Sequence, residues 1–121
     1  MIQIPNGRFE FAIAYRDVEI DHGLTLHVYG PTKDAAREEV LRFDCFAKQP
    51  HYHLGWSYRK APFIPIDAAD PFAWTLTQLQ EHMSDLLQRA AAQPMNEDEL
   101  AQLQTTLYTV EQHGRELLAA E

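Results

Sequence analysis

The chain has one cysteine, Cys45, which cannot close an internal disulfide, whereas a secreted domain of this size would often carry several. It also lacks any run near the roughly eighteen apolar residues that a membrane span requires. Residues 1–10 show no basic patch followed by an apolar stretch, so the expected location is cytoplasmic. Lys and Arg are scarce in the second half: residues 67–121 hold ten acids against only Arg89 and Arg115, while residues 1–66 balance eight acids with eight bases. The net charge of −8 therefore belongs wholly to the second half. A surface so poor in clustered cations argues against nucleic acid as a partner, because phosphate contacts need Lys and Arg. It suits a basic partner protein, the alternative being that acidic helix faces simply keep the chain in solution.

At 121 residues, with 45% hydrophobic and 23% charged residues, the composition is that of a single globular domain with one core. Phe9 to Tyr15 alternate with period two, and Val18, Ile20, Leu24, Leu26 and Val28 alternate on the opposite parity. A bulge near Arg16 and Asp17 would reconcile the two phases. Asp21-His22-Gly23 reads as a three-residue hairpin loop, with glycine supplying a positive φ, which pairs Ile20 with Leu24 and Val18 with Leu26. Leu41, Phe43 and Cys45 form the apolar face of a third strand, and residues 51–57 a fourth. The proline-broken stretch 59–67 reads as a crossing segment with room for a short edge strand.

Two helices follow. Thr75-Leu-Thr-Gln78 fits a capping box ahead of an apolar stripe of Leu76, Leu79, Met83, Leu86 and Leu87, bordered by His82. Asn96-Glu-Asp-Glu99 is a second capping box, with acids at the positive end of the helix dipole. Leu100, Leu103, Leu107, Val110, Gly114 and Leu117 then recur at steps of three and four, predicting a helix over residues 97–119. So narrow a seam suits either self-association or partner docking, or an antiparallel pairing with the preceding helix. The expected architecture is α+β: a four-stranded antiparallel β-meander with a crossing segment (residues 1–66), then two C-terminal helices (67–121), in one domain.

One constellation carries chemistry. If Phe46 faces His51 across the loop 47–50, Asp44 lies opposite His53 and Arg42 opposite Gly55. Thr25, His27 and Tyr29 then share their face, His27 lies beside Arg42, and Asp17 lies across from His27. His51-Tyr-His53 sets two imidazoles about 7 Å apart on one strand face, near enough to share one ion. With His27 or Asp44 completing the set, zinc, iron or nickel would fit. The same residues suit acid–base work on a phosphodiester. One imidazole would take a proton while another gives one, Asp44 would orient its partner, and Arg42 with Lys48, Arg59 or Lys60 would hold developing charge. The plain alternative is that these are ordinary exposed histidines and that Asp44–His53 is a weak cross-strand ion pair. His22 reads as a turn residue, His113 as a solvated helix residue and Cys45 as a buried small hydrophobe. Trp56 and Trp74 read as packing residues, with Trp56 near enough to His53 to line a pocket.

The runs Leu41-Arg-Phe-Asp-Cys-Phe46, Pro50-His-Tyr-His53 and Trp74-Thr-Leu-Thr-Gln-Leu79 carry a resemblance. The chain resembles small uncharacterised bacterial proteins and, more remotely, the TumE-type toxins of toxin–antitoxin pairs. The likeness spans roughly residues 17–90 in order of elements and rests on Phe43, Asp44, His51 and His53 as a motif. It implies a four-stranded sheet packed by a helix and makes Asp44, His51 and His53 the residues of interest. Cys45 stands where those toxins have an amide residue, and the second long acidic helix is additional. The expected function is thus an accessory or binding protein that meets a partner, or itself as a homodimer, through residues 97–119. Its histidine face would hold a metal or small anion. The alternative is a small histidine-dependent hydrolase using His51, His53, Asp44 and Arg42.

Overall fold

The computed structural model describes residues 1–5, 7–55 and 63–121. Among the described residues, six strands run in chain order as one antiparallel meander: β1 (Ile2–Gln3), β2 (Glu10–Val18), β3 (Asp21–Pro31), β4 (Arg37–Phe46), β5 (His51–Leu54) and β6 (Ile64–Pro65). Two helices, α1 (Pro71–Arg89) and α2 (Glu97–Ala119), complete the α+β fold. The sheet thus has six strands rather than four, because a two-residue strand borders it at each end. The described part of β5 ends at Leu54, with Gly55 in a bend, and the remainder of the expected strand 51–57, Trp56 and Ser57, falls outside the described residues, as do Arg59 and Lys60.

Alternation works as the pattern implied. Phe11, Leu26, Val28, Leu41, Phe43 and Tyr52 are buried together with Leu79, Met83 and Leu86 of α1 and Leu103, Leu107 and Val110 of α2. Burial of such side chains, at roughly 25 cal/mol per Å² of apolar surface, is the main stabilising term. Both helices cover this one face, α1 over β4 and β5 and α2 over β1 and β2. The seam of α2 from Leu103 to Gly114 is therefore consumed inside the molecule, while at its ends Leu100 is 42% exposed and Leu117 half-buried. Gly114 sits where a Cβ would come within 2.5 Å of the Phe72 ring, so α2 can approach α1 only without a side chain there.

The first hairpin differs from the expected one. Val18 pairs with Asp21, Asp17 with His22 and Tyr15 with Leu24, so the turn is Glu19-Ile20 and Ile20 is exposed rather than paired with Leu24. Leu26 faces Ile13 rather than Val18, Ala12 rather than Asp17 lies across from His27, and β2 carries no bulge. The irregularity lies instead between β3 and β4, where the register shifts at Val28/Tyr29. Asp21 is a strand residue because its carboxylate is needed elsewhere: it accepts from the N–H groups of His22, Lys48 and Gln49 at 2.8–2.9 Å and so fastens the β4–β5 loop. Burial works to raise the Asp21 carboxyl, but these backbone donors outweigh it and hold the group below its ordinary range. Gly23, at φ +149°, has a backbone few residues adopt, and a Cβ there would lie 2.4 Å from the Cys45 carbonyl.

Helix α1 begins a turn earlier than expected. Asp70 caps it by accepting from Ala73 N–H, with Pro71 in the first turn, and Thr75 is a buried helical residue. His82 is exposed and has non-helical angles (φ −131°, ψ 22°), so the helix kinks there. The bounds of α2 and its capping box are those the sequence predicts: Asn96 accepts from Glu99 N–H at 2.8 Å, and Glu99 accepts from Asn96 N–H at 2.8 Å. Glu99 also reaches back across the chain to Arg8, accepting from its N–H at 2.7 Å and its Nη2 at 2.8 Å.

Candidate metal and anion site on the second sheet face

The face turned away from the helices carries two cross-strand rows. The sheet register aligns Thr25, Asp44 and His51 in one row and His27, Arg42 and His53 in the next. Asp44 therefore lies opposite His51, and Arg42 opposite His53, a register displaced by two residues from the one expected. An even displacement keeps every side chain on its own face. The predicted residues share a face, but with exchanged partners.

Asp44 is the centre of the first row and is only 2% exposed. Its Oδ1 accepts from the Thr25 hydroxyl at 3.0 Å. Its Oδ2 lies 3.0 Å from His51 Nε2, 3.7 Å from His53 Nε2 and 3.4 Å from Arg42 Nε. Arg16 approaches from β2, its Nη1 3.8 Å from Oδ1. The two imidazoles meet edge to face at 5.0 Å, and Phe63 stacks on His51 at 4.0 Å.

The His51 ring is oriented from both ends. Its Nδ1 lies 2.8 Å from the carbonyl oxygen of Gln49, which can only accept, so Nδ1 carries a hydrogen. In the neutral ring the lone pair is then on Nε2, and it points at Asp44 Oδ2, also an acceptor, 3.0 Å away. Two acceptors at that distance need a cation between them, either a proton on the ring or a metal ion.

One ligand atom from each of Asp44, His51 and His53 lies within 4.8 Å of the others. Tetrahedral zinc with bonds of about 2.0–2.1 Å wants donors roughly 3.4 Å apart, so small rotations of these side chains would close on an ion. The surrounding bonds match what a metal site requires. A histidine ligand commonly donates its second N–H to a carbonyl and a carboxylate ligand is itself hydrogen-bonded, as His51 to Gln49 and Asp44 from Thr25 are here. His27, expected as a further ligand, is not among these three: its Nδ1 lies 2.9 Å from Glu39 Oε2, and its ring stacks on Tyr29.

Glu39 was not anticipated from sequence. The register shift after Val28 brings it beside His27, and its Oε1 also lies 3.9 Å from Arg42 Nε. Arg42 thus stands between two carboxylates, each bearing an imidazole. Of the remaining expected site groups, Lys48 serves the Asp21 loop through its backbone, and Arg59, Lys60 and Trp56 lie outside the described residues. Cys45 is on the helix side of the sheet, 3.5 Å from the Thr75 hydroxyl, and burial pushes its thiol up to about 11, which makes it a poor nucleophile.

The chain belongs to a family of unknown function, DUF7700. The family model matches residues 3–114, which takes in the sheet from Gln3 onward, α1 and most of α2. No curated protein and no solved structure matches it. No helix among the described residues is long and apolar enough to cross a membrane. Membership in DUF7700 brings no activity with it, so the chemistry of this chain rests on its own residues.

Proposed function

We propose that this DUF7700 chain is a small binding module whose working surface is the second face of its sheet, where Asp44, His51 and His53 hold a divalent ion of the zinc, iron or nickel kind. The observation that carries this reading is the acceptor-to-acceptor approach of His51 Nε2 and Asp44 Oδ2 at 3.0 Å, with Nδ1 already committed to Gln49. His53 supplies a third donor, and the fourth position is left to water or a ligand. Cytoplasmic residence, consistent with the single free cysteine, belongs to the same proposal. The association surface proposed for residues 97–119 is left with the outer, acidic face of α2, because its apolar seam from Leu103 to Gly114 is buried. It is therefore secondary to the sheet face.

A second reading, a small hydrolase of the TumE kind acting on phosphodiesters, draws support from the row His27, Arg42, His53, which sets a cation between two imidazoles. Metal content separates the two. Plasma mass spectrometry on protein purified without a histidine tag should find zinc, iron or nickel near one equivalent, falling below about a tenth in the His51→Ala/His53→Ala double variant. Metal-free wild-type protein that also takes up no added zinc, nickel or iron(II) would refute the binding reading. His51 would then hold its contact with Asp44 through a proton, as the hydrolase reading requires.

A further inference from the structure

The side chain of Arg42 is 23% exposed, yet it donates no hydrogen bond among the described residues. Its approaches to Asp44 and Glu39 are through Nε at 3.4 and 3.9 Å, and that nitrogen is buried without an acceptor. An arginine whose fork of five donors is spent on its neighbours is structural. One held in place with its fork unspent is a receptor for an oxyanion.

The charges around it decide when such a ligand is welcome. Without a metal, Asp44 and Glu39 set two negative charges against Arg42 and the proton that bridges His51 to Asp44, so the row is balanced and offers an anion little attraction. A divalent ion on Asp44, His51 and His53 takes the place of that proton and raises the balance to one positive charge. Arg16, 3.8 Å from Asp44 Oδ1, adds to it at the rim. His27 flanks Arg42 on β3 and remains outside the metal set.

We infer that the metal site is one half of a joint site for a tetrahedral oxyanion, phosphate or a phosphate monoester, held between the ion's open position and the Arg42 fork. This rests on the metal reading above and deepens it. The ion is the switch that makes the face attractive to the anion, and by linkage the anion tightens the ion to the same degree.

Cobalt(II) is the probe, since its visible spectrum reports both its donor set and any exchange at the fourth position. Metal-free protein is titrated with cobalt(II) alone, then with inorganic phosphate, in the wild type, Arg42→Met and Arg42→Lys. The expected result is a saturable cobalt spectrum in all three and a phosphate-induced change in the wild type. Phosphate affinity should fall about 10- to 100-fold in Arg42→Met and less in Arg42→Lys, as loss of a charged hydrogen-bonding partner predicts. Unchanged circular dichroism and cobalt affinity certify the fold of the variants. Absence of a protein-bound cobalt spectrum overturns the metal reading and the joint site with it. A cobalt spectrum that phosphate leaves untouched, or phosphate affinity equal in wild type and Arg42→Met, overturns the joint site while the metal reading stands. Phosphate binding of equal strength in metal-free protein overturns the switch.

Discussion

Glu99 is the residue whose replacement tests most directly how the two halves of the fold are joined. Its side chain is 1% exposed, and its two oxygens accept from four donors: Arg8 N–H at 2.7 Å and Arg8 Nε at 3.3 Å on Oε2, Arg8 Nη2 and Asn96 N–H, both at 2.8 Å, on Oε1. In Glu99→Gln, one oxygen becomes an NH₂. Whichever way the amide turns, that group faces two N–H donors, so two hydrogen bonds are lost together with the charge attraction. Arg8 is 41% exposed and recovers part of its loss from water, whereas the backbone donors are partly buried. Charged hydrogen bonds contribute about 1.5–3 kcal/mol each, and discounting for rehydration gives an expected destabilisation of about 2–4 kcal/mol.

Urea titration followed by circular dichroism would read this as a midpoint lower by about 1–2 M at a slope typical for the chain's size. Acid supplies the sign check. Burial tends to raise the Glu99 carboxyl, but the Arg8 and Asn96 donors outweigh it, and the folded-state value lies below the ordinary one. The stabilisation is therefore complete above the unfolded carboxyl's value of about 4.3 and is lost as pH falls through the lower folded value. The gap between wild type and Glu99→Gln should narrow on acidification below about pH 4. A gap under about 0.5 kcal/mol at pH 7, or one that widens with acid, would refute the reasoning.

Two further substitutions probe the packing and the site. Gly114→Ala adds a favourable helix former worth about 1 kcal/mol, yet its Cβ would meet Phe72 Cζ at 2.5 Å and Ile13 Cδ1 at 3.0 Å; a net loss of about 1–2 kcal/mol is expected in urea, and a gain would show that α1 yields freely. Thr25→Val keeps the shape of a fully buried side chain but removes the donor to Asp44 Oδ1, so zinc affinity by chelator competition should weaken about 10-fold with little change in the sheet; unaltered affinity would count against Asp44 as a ligand.

The parts legible in the sequence are those governed by local rules. Period-two alternation located the buried faces of β3 and β4 through Leu24, Leu26, Leu41 and Phe43, and a reciprocal capping box located the start of α2 at Glu97. The edge strand β6 falls in the proline-broken stretch 59–67 that had room for one, whereas β1 was not legible, because two residues show no period and pairing alone defines them. Asp21-His22-Gly23 has turn chemistry, but Asp21 is claimed by a loop 27 residues away, and long-range demands leave no local trace. The Arg8–Glu99 link, 91 residues apart, is invisible for the same reason. Asp70-Pro71 was a readable start for α1, since an Asx residue before a first-turn proline is a strong cap signal, and the competing Thr75–Gln78 pattern obscured it.

The site survived an error in register because of the parity of that error. Shifting β5 against β4 by one residue would have carried His51 and His53 to the helix side, whereas the actual displacement of two moved them along the strand and left them beside Asp44 and Arg42. Which histidine meets the carboxylate is then fixed by the loop rather than by the strands. Asp21 binds the N–H groups of Lys48 and Gln49, and the carbonyl of that same Gln49 takes the Nδ1 hydrogen of His51. One carboxylate on β3 thereby sets both the pairing of β4 with β5 and the direction of His51 Nε2. The candidate metal site is thus oriented from a residue that never touches it, which is why the faces could be read from sequence and the partners could not.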